Sequence, residues 1–229
     1  MTSGSGRRRV VRSGRRLAVL GAAAAFTVLL AQHTTTAAFT AQTGDTGNQE
    51  STAASFCASQ GGNTYGASAD TTTYQQNPTN IYGTSVETGV GSSSGANGRV
   101  LIRFPLPALG AHCVVTGATL RLHAHTPVAG RMIDVYRVDP ASPAWSEAAT
   151  HWNNQPATTE VAVGTASLGA AGWQQWTVTS MVSSFYAGTN SGFLLRDRTE
   201  GSGTSYWQLY RAREHGTSAT RPQLVLTWG

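Results

Sequence analysis

Residues 118–125 read Ala-Thr-Leu-Arg-Leu-His-Ala-His, and residues 99–104 read Arg-Val-Leu-Ile-Arg-Phe. In the first stretch Leu120, Leu122 and Ala124 recur at every second position, with Arg121, His123 and His125 between them. In the second, Val100, Ile102 and Phe104 share one side and Arg99, Leu101 and Arg103 the other. A period of two belongs to a strand with one face in a core and one toward water, because successive side chains leave the pleated backbone on opposite sides. Further strands are marked at Met132–Val138, Gly172–Val178, Gly192–Arg196, Tyr206–Arg213 and Gln223–Trp228. Short strands separated by Gly, Pro, Ser and Asn turns predict an all-β fold, an antiparallel β-sandwich or jelly roll. One short helix is predicted, with Thr179 as its cap, Met181, Val182, Phe185 and Tyr186 as its apolar stripe, and Gly188 as its end. Residues 91–98, rich in Gly and Ser, read as a loop inside the domain.

The chain has 229 residues, 16 basic and 11 acidic, for a formal charge of +5. The basic residues are all Arg, six of them lie in the first 16 positions, and no acidic residue precedes Asp45. Beyond residue 16, ten Arg face eleven carboxylates, so the excess is a property of the head and not a phosphate-binding footprint. Nucleic acid is therefore not an expected partner. Leu17 to Ala31 is an uncharged run followed by small residues at Thr36 and Ala38, the layout of a signal peptide over residues 1–38. The run is shorter than the roughly 18 to 20 residues of a membrane span, which makes an uncleaved anchor the weaker reading. Membrane contact is expected only through this segment before cleavage. A flexible mature N-terminus is expected over 39–54 and the β-sandwich domain over 55–229. Thr36 to Asn48 also resembles the processing region of camelysin and biofilm-fibre type exported proteins, which implies a cell-surface or matrix destination. The expected location is extracellular, secreted or held at the cell surface. Cys57 and Cys113, an even pair without CxxC spacing, fit a disulfide in that compartment, with two free thiols as the alternative.

No catalytic set emerges. The Gly-x-Ser-x-Gly at 91–95 lacks the preceding apolar strand and following helix that would expose a nucleophile, so it reads as a turn. His123 and His125 share a strand face, as metal-binding pairs do, but nothing local completes a ligand set, and two exposed polar residues are the preferred reading. Asp197 and Glu200 stand among Arg196 and Arg198, which suggests ion pairing, with a structural calcium loop as the alternative. No other cofactor and no metal site is expected. Six Trp and seven Tyr are many for a weakly charged domain. Flat rings stack on sugar faces and guanidinium forks grip carboxylates, so Arg121, His123, His125, Trp207, Arg211 and Arg213 are the candidate carbohydrate-binding residues. By alternation Trp176 and Trp228 belong to the core instead.

Five segments resemble the DNRLRE domain, also classed as carbohydrate-binding module family 96 and found in bacterial secreted proteins. They are Ala69-Asp70 with Pro78 and Gly83; Leu101 to Phe104 leading into Cys113 to Leu122; Trp145-Ser146-Glu147 with Trp152 to Pro156; Gly192 to Asp197; and Tyr210 to Glu214 running into Arg221 to Leu226. The resemblance spans nearly all of residues 66–229, with His151 where Thr is usual and Ile81 where Asn is frequent. It implies a β jelly roll without catalytic residues, some of whose members bind uronate-rich polymers. The expected function is a secreted, monomeric, non-catalytic module for acidic or cell-wall polysaccharide. A structural envelope or matrix protein is the first alternative and a polysaccharide-degrading enzyme the second.

Overall fold

The computed structural model describes residues 56–229, apart from the side chains of 160–162. The expected signal peptide (1–38) and mature N-terminus (39–54) lie outside the described residues. Eleven strands are present among those described: β1 (Gly61–Gly66), β2 (Ala69–Tyr74), β3 (Glu87–Ser92), β4 (Gly98–Arg103), β5 (Val115–Thr126), β6 (Met132–Val138), β7 (Thr158–Ala166), β8 (Gly172–Thr177), β9 (Phe193–Asp197), β10 (Tyr206–Arg211) and β11 (Gln223–Trp228). A single helix, α1 (Thr179–Ala187), separates β8 from β9.

All pairings are antiparallel and follow the order β1-β11-β5-β10-β3-β4-β9-β6-β7, with β2 added to β4 and β8 to β5. The long strand β5 organises this path, because its first half pairs with β11 and its last residues with β10. The sheet curls on itself: Gln174 Nε2 of β8 donates to Thr165 O of β7 (3.0 Å), and Thr165 Oγ1 donates to Gln175 O (2.8 Å). This is the all-β sandwich that the alternation predicts, curled toward a half-barrel.

One apolar core fills the curl. Leu120, Leu122 and Ala124 of β5 meet Val100 and Ile102 of β4, Ile133 and Val135 of β6, Leu195 of β9 and Trp176 of β8. Trp176 is buried, as alternation predicts, and its indole N–H donates to Ile133 O (2.9 Å), so the ring spans the core without stranding a polar atom. A second cluster of Ala69, Leu101, Val138, Trp145 and Leu194 packs on the other side of β4. Leu101 is consequently as buried as its neighbours, and the outward face read for it is covered.

Several local expectations need correction. Thr179 is not the helix cap: Val178 occupies that position, and the Thr179 hydroxyl accepts the backbone N–H of Ala118 (3.0 Å). The helix does end at Gly188, whose N–H reaches Phe185 O. Gly91 and Ser92 complete β3 and Gly98 opens β4, so the loop read over 91–98 shrinks to a hairpin turn. Trp228 is only half-buried at the core's rim, where its N–H donates to Ser59 O (2.9 Å). Cys57 and Cys113 are joined, fastening the segment before β1 to the loop before β5.

Candidate functional site

The outward positions of β5 form one face with its neighbours. Arg121 stands opposite Gln175 on β8 and Gln223 on β11, and His123 opposite Trp173. The guanidinium of Arg121 lies over the Trp173 ring (4.6 Å to its centroid), while His123 meets the same ring edge-on (5.3 Å). Arg121 donates to Gln223 Oε1 (3.3 Å) and closes on no carboxylate among the described residues; its Nε has no hydrogen-bond partner. Further along, Glu87 of β3 gathers Arg211 Nη1 (2.9 Å) and His125 Nε2 (3.0 Å). The His125 contact is poorly directed for a hydrogen bond. Burial lowers the pKa of His125 and outweighs the opposite pull of Glu87.

Beyond this ion pair the face becomes aromatic. Trp207, Leu209 and Arg211 alternate outward on β10 while Gln208 and Tyr210 are buried on the other side. The Trp207 ring lies directly on the backbone of β3 and β4: a Cβ at Gly91 or Gly98 would come within 2.4 or 2.5 Å of it. Glycine at these two positions is what lets a large ring lie down instead of standing up. Tyr74, at the end of β2, meets Trp207 edge-on (5.2 Å, 67°), and Tyr82 meets Tyr74 likewise (4.6 Å, 79°). Together with Gln76, Asn77, Ala96 and Leu209 these rings line a cavity of about 370 Å³.

The segment carrying Gln76, Asn77 and Tyr82 is braced from below. Asn153 N donates to Pro78 O (3.2 Å), and Thr73 Oγ1 donates to Gln155 Oε1 (3.0 Å). Gly83 abuts Glu147 so closely that a Cβ would lie 2.3 Å from its carbonyl oxygen. Glu147 accepts the backbone N–H of Asp70 (2.7 Å) and pairs with Arg213 (2.8 Å), whose guanidinium also meets Glu214 (2.6 Å). Asp70 in turn accepts the backbone N–H of Arg213 (2.7 Å). The Asp70 carboxyl is raised to about 7, chiefly by burial and further by Glu214 and Glu147. Asp70, Glu147 and Glu214 hold oxygens within 4.8 Å of one another, with Arg213 as their cation.

Five of the six candidates therefore share the outward face: Arg121, His123, His125, Arg211 and Trp207. Arg213 does not, since it is committed to the carboxylate cluster that anchors the rim segment. Asp197 is gripped by Arg131 (2.6 Å) and Glu200 by Arg99 (2.7 Å), so ion pairing holds that loop, although through partners other than the adjacent Arg196 and Arg198. Arg198 closes instead on Asp134 (2.7 Å) and Arg196 on the Tyr136 hydroxyl (2.8 Å), because alternation sends them to the opposite face from Asp197. Tyr74, Tyr82, Gln76, Asn77 and Trp173 were not among the candidates. The glycines of Glu87–Ser92 are the one sequence signal that could have pointed to them, since they clear the ground on which the rings lie.

The sheet face thus carries a ring-lined recess at one end and, at the other, a guanidinium stacked on a ring and closed on no carboxylate among the described residues, an arrangement of the kind that binds sugars. The chain belongs to carbohydrate-binding module family 96, whose model matches residues 62–228. No curated protein matches the chain.

Proposed function

We propose that this protein is a secreted, non-catalytic module that binds cell-wall or acidic polysaccharide along the outward face of β5, β10 and β3. The observation that carries this reading is the continuity of that face, from Arg121 stacked on Trp173 to the recess of Tyr74, Tyr82 and Trp207. Arg121 has no carboxylate partner among the described residues, so it is the group on this face suited to a uronate. The reading requires no cofactor and takes the module as a monomer. Export is supported by the layout of residues 1–38 and by the disulfide. Affinity electrophoresis in gels containing alginate, pectin, chitin or cell-wall glycan tests it. Retardation in at least one gel is expected, and migration unchanged in all of them would overturn it.

A further inference from the structure

We propose that the recess between Tyr74, Tyr82 and Trp207 holds a single uncharged pyranose unit, so that this end of the face selects a neutral sugar and not a uronate. The inference rests on the carbohydrate-binding reading above and specifies what one end of that face recognises.

None of the residues lining the recess is charged: Tyr74, Gln76, Asn77, Tyr82, Ala96, Trp207 and Leu209. The nearest cation on the same strand is Arg211, four residues and about 13 Å along, and it is paired with Glu87. A carboxylate entering the recess would meet ring faces that carry negative charge density and no counter-ion, and would have to shed water to do so. The C–H face of a pyranose has the opposite preference, being apolar and weakly positive.

The rings also set the size of the unit. They meet at 67° and 79°, which makes them walls of a corner and not a flat strip. Coplanar rings would suit the extended face of a packed polymer. A corner seats one unit, and an open recess of about 370 Å³ gives it room. At the rim, Gln76 and Asn77 are exposed, and their side-chain amides make no hydrogen bond among the described residues. Each amide offers two donors and an acceptor, which complements hydroxyls that both give and take protons. The brace beneath the rim, Asn153 to Pro78 and Gly83 against Glu147, holds these groups in place before any ligand arrives, which reduces the entropy lost on binding.

Tryptophan fluorescence titration of the protein tests this, with neutral hexasaccharides of β-1,4-glucan, β-1,3-glucan and β-1,4-mannan set against hexamers of guluronate and mannuronate. The expected result is that a neutral hexamer changes the emission and binds with an affinity that moves less than about twofold between about 0.05 and 0.5 M NaCl. Tyr82→Ala and Asn77→Ala are each expected to weaken it about tenfold. Asn77 is exposed and Tyr82 half-buried, and far-UV circular dichroism verifies that the variants fold. Neutral binding that survives both substitutions unchanged overturns the inference. So does binding confined to the acidic hexamers and lost in Arg121→Ala, a result that would leave the carbohydrate-binding reading intact. Binding of no hexamer and retardation by no polymer would overturn both together.

Discussion

At the scale of single residues, the most consequential group is Asp70. Its carboxyl is buried beside Glu147 and Glu214 with Arg213 as their cation, and it holds its proton up to about pH 7 where an unfolded chain would release it near 3.8. A folded-state pKa above the unfolded value contributes stability at low pH that is lost as pH rises through the interval between them. The melting temperature should therefore decline from about pH 4 to about pH 7, by the equivalent of a few kcal/mol. Asp70→Asn keeps an acceptor for the Arg213 N–H and removes the titration, so its profile should be flatter there. A variant that tracked the parent curve would disprove the assignment. The motif residues were legible in the sequence, but this role was not. Asp70, Glu147, Arg213 and Glu214 lie up to 144 positions apart, and only folding brings them together. The same limit applied to the recess: alternation puts Trp207 on one face with Leu209 and Arg211 without saying which face is wet, and Tyr74 and Tyr82 join it only through pairing between distant strands.

At the scale of elements, regular alternation was sufficient wherever one face of a strand is buried and the other is not. β5 shows this pattern over most of its length, and β6 and β11 were delimited to the residue. It failed where both faces or neither are covered. In β2 (Ala-Asp-Thr-Thr-Thr-Tyr) all but the last residue are buried, polar ones included, and in β1 (Gly-Gly-Asn-Thr-Tyr-Gly) almost everything is exposed. Neither leaves a period to read. β3 was lost in its glycines, which serve the Trp207 ring and not strand propensity. The start of α1 failed for a different reason. Thr179 has the side chain of a good cap, but the end of the β8–β5 ladder claims its hydroxyl for the Ala118 N–H, and Val178 N continues the ladder to Ala118 O (2.8 Å). Thr179→Val preserves the shape and strands that N–H, and should cost about 1–2 kcal/mol in urea denaturation. An unchanged midpoint would show that water or another acceptor takes its place.

At the scale of the whole molecule, the disulfide closes a loop of 56 positions around β1 to β4. It restricts the unfolded chain by about 3–4 kcal/mol in the chain-entropy description. Cys57→Ser with Cys113→Ser should lower the melting temperature accordingly, and calorimetry that found the two proteins alike would contradict it. The cation inventory has a consequence of another kind. Arg99, Arg131, Arg198, Arg211 and Arg213 are each closed on a carboxylate, and past residue 16 the chain is nearly neutral. That part of the chain casts almost no long-range field, so a charged matrix would not draw it in from a distance. Its encounters with a polymer should run at the unsteered rate of about 10⁵–10⁶ M⁻¹ s⁻¹ and respond little to salt. Selectivity then resides in how long a complex lasts after contact, and in a dense polymer network such a protein explores by diffusion and is retained only where the fit slows its departure.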